Sequence, residues 1–515
     1  KNFVGGTGGP LANLTSGLLA AWAAQGQGET DAALKLVDTL EGPEWYAVFK
    51  NFHSGLIAEL AGRGEKAGEL FSKSYEADPA ALRVVEAYVR FEARNGDVKK
   101  AEEALAAFQT NEVTHPVISA LETELARGAK PAPLVADAAA GAAEALYGIG
   151  SALGTENGGQ DLAAVYLRLA LYLAPKNELA VMALGDLYQD LQRQDAAIAV
   201  FDSVPAGSPL KRSADIQAAL SLDALDRPQD AIARLKKLTA ANPADMEAWT
   251  AIGQIHRGRK EFAESAAAYS RAIAALPKDA KNWGLYYARG IAYERTKEWP
   301  KAEADFLKAL EIQPDQPQVL NYLGYSWVDR GENLERGTEM IKKAVELRPN
   351  DGYIVDSLGW AYYKVGRYAE AAAQLERAVE LRSDDPTIND HLGDAYWKVG
   401  RKLEATFQWR HARDLKPEPE DLAKIEAKLK DGLDKAPQTQ VAAISPPTSS
   451  DAGAGAGVTS VTVGPGDTLW KIAERVYGNG NLYPRLLEAN RAAITDPNRL
   501  PAGLTLTVPP VSDAR

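Results

Sequence analysis

The sequence predicts an all-α array of stacked helix pairs followed by a small β-α-α-β module. Three observations carry this prediction. A pattern of small and bulky residues recurs about every 34 residues between 246 and 417. Pro or an equivalent helix stop closes each unit. Past residue 431 the composition turns to Pro, Ala, Gly, Ser and Thr, and a strand-like alternation then begins at Val461. The expected layout is a repeat array over 1–431, a disordered linker over 432–458 and a folded module over 459–510.

The repeat is anchored on a small residue in a first helix: Gly253, Gly290, Gly324, Gly359 and Gly393. A second helix supplies Ser265, Ala302, Gly337, Ala371 and Ala405, and four residues on Tyr269, Phe306, Ile341, Leu375 and Trp409. Small residues are needed where two backbones approach, and large ones fill the gap to the next pair. One pair cannot bury its apolar face, so neighbours must stack, which makes the array a quasi-one-dimensional solenoid. The same ruler extends back through Gly185 and Phe201, the 135–175 segment with a longer turn at Gly154–Asp161, and Gly55 with Phe71, to a degenerate pair over 10–42. About ten pairs are expected. Residues 418–431 read as a polar amphipathic helix capping the last unit.

This pattern resembles the tetratricopeptide repeat (TPR) family, whose fold is an all-α TPR solenoid. Within it, Leu323-Gly324-Tyr325-Ser326-Trp327, the run Asp351 to Tyr363 and Asp390-His391-Leu392-Gly393-Asp394-Ala395-Tyr396-Trp397 are similar to large TPR proteins of the proteobacterial envelope. Relatives of that kind are outer-membrane lipoproteins that bind an S41-type carboxyl-terminal processing protease and present peptidoglycan hydrolases to it. The resemblance implies an adaptor at the periplasmic face of the outer membrane, with a protease or cell-wall hydrolase as protein partner. Scaffolding of secretion or outer-membrane assembly machinery is the alternative. The chain starts Lys1-Asn2-Phe3, so a signal segment, a lipid anchor or more repeats are expected upstream, and membrane attachment is expected only through such an anchor.

On this register the concave face carries Tyr325, Trp360 and Asp394 at one level and Val328, Tyr363 and Trp397 three residues on, with Tyr353 and Asp356 on the same face. Trp360, Tyr363 and Trp397 read equally as anchors for a partner peptide and as contacts to the next repeat. Trp249, Tyr293, Tyr362 and Tyr396 fall at packing positions. Asn321, Asp356 and Asp390 stand where chaperone-tail-binding repeats carry Lys, which argues against a clamp for a terminal carboxylate.

In the linker, 27 residues span on the order of 30 Å as a random coil. The module then reads as a strand at Val461–Val463, a helix from Thr468 to Val476, a second helix from Tyr483 to Asn490 and a strand at Leu504–Val508. Gly466-Asp467-Thr468-Leu469, Tyr477-Gly478-Asn479, Glu488-Ala489-Asn490 and Pro501-Ala502-Gly503 resemble a LysM domain. That resemblance implies binding of N-acetylglucosamine glycans such as peptidoglycan, in a groove between Gly466, Asp467, Thr468 and Leu469 on one side and Ala493, Ile494, Thr495 and Asp496 on the other. A turn-and-cap role for Gly466 and Asp467 is the bland alternative.

Composition narrows the function classes. Net charge is −12, and residues 461–515 hold six Lys/Arg against five Asp/Glu, so the acidity lies in the array. An acidic array is a poor partner for nucleic acid. There is no Cys, which removes disulfides, thiolate nucleophiles and Cys-based zinc sites. His53, His115, His256, His391 and His411 show no metal-ligand spacing, Gly5-Gly6-Thr7-Gly8-Gly9 lacks a following Lys-Ser/Thr, and no nucleophile elbow is present. The reading is a non-enzymatic scaffold without cofactor or metal.

Overall fold

The computed structural model describes residues 10–433 apart from 96, 110–114, 155–157 and 278–279, and in the tail 460–463, 472, 489–490 and 504–508. The chain divides into two compact units, residues 1–438 and 439–515.

Among the described residues, the regular structure of the first unit is all helix. Its pairs are α1 (Pro10–Gly26) with α2 (Thr30–Asp38), α3 (Tyr46–Leu60) with α4 (Gly64–Ala77) and α5 (Leu82–Asn95) with α6 (Val98–Gln109). A single helix α7 (Pro116–Ala126) intervenes before α8 (Ala138–Gly154) with α9 (Gln160–Leu173). Then follow α10 (Glu178–Asp190) with α11 (Gln194–Asp202), α12 (Lys211–Ala224) with α13 (Pro228–Ala241), α14 (Met246–Gly258) with α15 (Phe262–Ala274) and α16 (Trp283–Arg295) with α17 (Trp299–Ile312). The last three are α18 (Pro317–Arg330) with α19 (Leu334–Leu347), α20 (Gly352–Lys364) with α21 (Tyr368–Leu381) and α22 (Pro386–Lys398) with α23 (Lys402–Asp414), before α24 (Pro419–Asp431). That is eleven pairs and two single helices among the described residues.

The packing rule behind the repeat is steric. A Cβ added at Gly253 would sit 2.8 Å from the Tyr269 ring, at Gly290 2.7 Å from Phe306 and at Gly393 2.4 Å from the Trp409 ring. Gly185 meets Phe201 and Gly55 meets Phe71 in the same way, so the weaker early units obey the same contact. Asn177, Asp245, Asn282, Asp351 and Asp385 cap first helices, their side chains accepting from backbone N–H groups of the first turn. The turn inside each pair needs one left-handed residue. Gly331, Gly366 and Gly400 supply it, while Gln192, Asp226, Lys260 and Lys297 adopt it with side chains, at about 1 kcal/mol each.

The N-terminal units depart from a simple stack. Helix α8 packs against α1 and α3 as well as α9, so the chain folds back on its start. Trp22 on α1 is buried and donates its indole N–H to His53 Nδ1 on α3 at 3.2 Å. Gly141 on α8 lies directly against the Trp22 ring.

In the second unit, β1 (Ser460–Thr462) pairs antiparallel with β2 (Thr505–Thr507), Val461 opposite Leu506. Val463, Ile472, Leu506 and Val508 are buried. The Asn490 side chain holds β2 at both backbone groups: its Nδ2 donates to Thr507 O at 2.8 Å and its Oδ1 accepts from Thr507 N at 2.7 Å.

Candidate functional site

The eight glycan-groove candidates, Gly466, Asp467, Thr468, Leu469, Ala493, Ile494, Thr495 and Asp496, lie outside the described residues. The groove candidates on the repeats are described, and all but Tyr353 lie together. First helices α18, α20 and α22 are neighbours, so equivalent positions on them share one face.

Trp360 is the middle ring of a stack. Tyr363 lies on one of its contacts, with centroids 4.8 Å apart, and His391 on another at 4.1 Å. The indole N–H of Trp360 is buried without a hydrogen-bond partner. Trp397 packs on Trp409 at 5.3 Å. Tyr325, Tyr363 and Trp397 are all half-buried in one apolar cluster, and Val328 beside them is fully buried. Tyr353 stands apart: it is exposed, and its ring lies under the Arg382 guanidinium.

The two carboxylates read onto the concave face, Asp356 and Asp394, are buried and engaged within the chain. Asp356 faces His391, Nδ1 to Oδ1 at 3.0 Å. Asp394 accepts from Trp409 Nε1 at 2.9 Å and from Lys428 Nζ at 2.8 Å. Lys428 also donates to Asp390 Oδ2 at 2.7 Å. Burial pushes the Asp394 carboxyl above the usual carboxylate range, against the pull of Lys428. Burial works against a charge on His391 too, but Asp356, then Asp390 and Asp394, outweigh it and raise its pKa. The face is therefore an acidic floor bordered by aromatic rings.

Helix α24 lies over this floor. Ile425 and Leu433 are buried, and Leu429 packs into the cluster holding Tyr325, Tyr363 and Trp397. Gly432 rests on the Trp397 ring, close enough that a Cβ would overlap it at 2.2 Å. At the other end Glu418 reaches Lys260, in the turn between α14 and α15, at 3.6 Å. Asp421 is near enough to Tyr325 to help burial raise that phenol. So the helix expected to cap the last repeat also extends across the first-helix face.

Sequence reasoning missed His391 and Lys428 as members of this face. A signal existed. His391 is 35 residues after Asp356, and Lys428 is 34 after Asp394, one repeat in each case. The packing assignments hold for Tyr362 and Tyr396, which are buried, whereas Trp249 and Tyr293 are half-buried.

Comparison with known proteins identifies the building blocks. Family models for the TPR repeat match residues 359–400, and for the tetratricopeptide repeat residues 216–280 and 283–316. A LysM domain model matches residues 461–509. A TPR repeat-containing protein of Pseudomonas aeruginosa is 35% identical over 91 residues, 18% of this chain and 15% of that protein. A general transcriptional corepressor of Schizosaccharomyces pombe is 25% identical over 210 residues, 41% of this chain and 19% of that protein. The matched stretch thus spans less than a fifth of either relative. A solved tetratricopeptide repeat protein from Parabacteroides merdae is similar at 14% identity and TM-score 0.40, over 49% of this chain and 97% of that one. A chain of the APC/C hetero-tetramer is similar at 14% identity and TM-score 0.43, over 82% and 83%.

Proposed function

We propose that this chain is an adaptor of the bacterial cell envelope, which holds a protein partner on its TPR array and peptidoglycan on its LysM domain. TPR repeats make it a protein–protein interaction scaffold, and a LysM domain makes peptidoglycan its glycan ligand. The observation that carries the reading is the presence of both on one chain, separated by a Pro-, Ala-, Gly- and Ser-rich stretch. The similarity of residues 320–412 to envelope TPR adaptors supports a finer form, in which the array presents cell-wall hydrolases to a processing protease at the outer membrane. Joining two binding modules on one chain raises the effective concentration of each ligand near the other without any new contact.

The test is affinity capture from an envelope extract by the full chain and by a chain lacking 459–515, each also pelleted with purified sacculi. The reading expects the full chain to pellet, chitin oligomers to release it, and the shortened chain to stay in the supernatant while still capturing a protease or hydrolase. Capture of secretion or assembly components instead would replace the finer role. Pelleting of both chains alike would remove LysM as the glycan contact.

A further inference from the structure

The acidic floor between α20 and α22 has more carboxylates than its own helices can neutralise. Asp356 has His391, but Asp390 and Asp394 receive their cation from Lys428 of α24. One oxygen of Asp390 is buried without a partner, as are the Trp360 indole N–H on α20 and Asn321 Oδ1 on α18. Helix α24 offers a spaced set, Leu422, Ile425 and Leu429, with Lys428 among them, and Leu433 follows just past its end. The remainder of the helix, including Glu420, Asp421, Ala423, Lys424, Glu426 and Lys430, is exposed. Its axis is followed directly by Gly432 in a positive-φ conformation and then by the tail.

This is the pattern of an amphipathic helix seated in a groove, with apolar residues at three- and four-residue spacing and one charge that fixes register. A helix held by Ile425, the partly buried Leu429, Leu433 just past its end and a two-carboxylate contact is separable from the array, because its own core contribution is small beside that of a full helix pair. We propose that α24 is a displaceable occupant of the face made by α18, α20 and α22, and that the face takes in its place a partner's amphipathic helix carrying apolar residues at i, i+3, i+7 with a lysine at i+6. This rests on the scaffold reading and names the site and the kind of ligand within it. The chain then exists in a closed form, with α24 docked, and an open form competent for the partner. A partner's apparent affinity is lowered by the fraction of chain that is open.

The experiment uses the full chain and a labelled synthetic peptide with the sequence of residues 417–433. Lys428→Glu sets a carboxylate against Asp390 and Asp394 and should expel α24 while circular dichroism and the melting profile of the array stay as in the parent. The Lys428→Glu chain should bind the peptide at least about tenfold more tightly than the parent chain does, since the cis competitor is gone. The same peptide carrying Lys428→Glu should bind neither chain. Ile425→Asp in the full chain repeats the test if the first variant misfolds. Hydrogen exchange over 419–433 reports whether α24 has left. Faster exchange with no gain in peptide binding overturns the proposal, and so does unchanged exchange in both variants. If parent and variant capture the same proteins from extract equally while the peptide fails, the scaffold reading survives and the groove assignment fails. If neither captures any protein, the scaffold reading itself falls.

Discussion

Two buried charge networks lie at opposite ends of the array, and they are built differently. Near the N-terminus, Arg83 on α5 reaches Glu144 on α8 with its Nε at 2.9 Å and also contacts Glu86, which accepts from Arg90 Nε at 2.9 Å. Asn177 donates to the same Glu144 at 2.9 Å. Two carboxylates meet two guanidiniums. Burial alone would raise the Glu86 carboxyl, but Arg83 and Arg90 hold it below the usual range. In the last repeats three carboxylates meet one histidine and one lysine, and Asp394 is raised. The first network is complete within the pairs it joins, so it fixes α5 against α8. The second needs a cation from a helix outside the repeats. A buried ion pair is weak evidence for stability, and its better-attested use is to specify one arrangement. One end is thus closed within its own pairs, whereas the other takes its cation from α24, as the proposed partner face requires.

The largest expected effect tests the closed end. Trp22→Ala removes a fully buried ring from the contact of α1, α3 and α8 and should cost about 3–5 kcal/mol. Denaturant unfolding followed by hydrogen exchange should show the loss in α1–α9, with α18–α22 unaltered, because repeats feel mainly their neighbours. Equal loss at both ends would break the comparison. At the other end Tyr362→Ala should cost about 3 kcal/mol and Trp360→Ala about half of that, since Trp360 is only half-buried although it stacks on two rings. A larger cost at Trp360 than at Tyr362 would mean that the groove floor is core.

Acid and base should separate the two ends by sign. His53 is buried and neutral, its pKa pushed down to about 3 by burial. The unfolded chain takes that proton near pH 6.5 and the folded chain does not, so stability falls as pH drops through that window, by up to about 1.4 kcal/mol per pH unit. His391 is raised, so the folded chain holds its proton to higher pH than the unfolded chain. Its contribution is fully present below about pH 6.5 and is lost as pH rises through the folded value. Protection factors in α3 and α22, taken relative to the intrinsic amide exchange rate at each pH between about 5 and 9, should therefore move in opposite directions, and His53→Gln and His391→Gln should each flatten one trend. The smallest effect is expected for Asp394→Asn, which removes a charge that burial disfavours but keeps an acceptor for Trp409; array stability should change by less than about 1 kcal/mol, while α24 exchanges faster.

The repeat was legible because its key contact is local. Gly359 and Leu375, or Gly393 and Trp409, lie sixteen residues apart in one pair, and a glycine is demanded wherever a large side chain presses on the first helix. Helix stops at Pro277, Pro314 and Pro349 were legible for the same reason. The estimate of about ten pairs against eleven, and the unpaired α7, reflect early units in which that glycine is replaced or the turn lengthened. The return of α8 onto α1 and the reach of α24 toward Lys260 were not legible, because they join residues more than a hundred positions apart and depend on how the stack curves. Register places Trp360, Tyr363 and Trp397 on the first helices, but it does not pair Asp356 with His391 or Asp394 with Lys428, since each pair joins residues one repeat apart.

The proposed partner face is the first-helix face of the last repeats. Hydrogen exchange of the full chain, free and loaded with the protein it retains from an envelope extract, tests it most directly. Binding there should give new protection in α18, α20 and α22 together with faster exchange in α24, and no change in α1–α9. Protection confined to α1–α9, with α18–α24 as in the free chain, would contradict it.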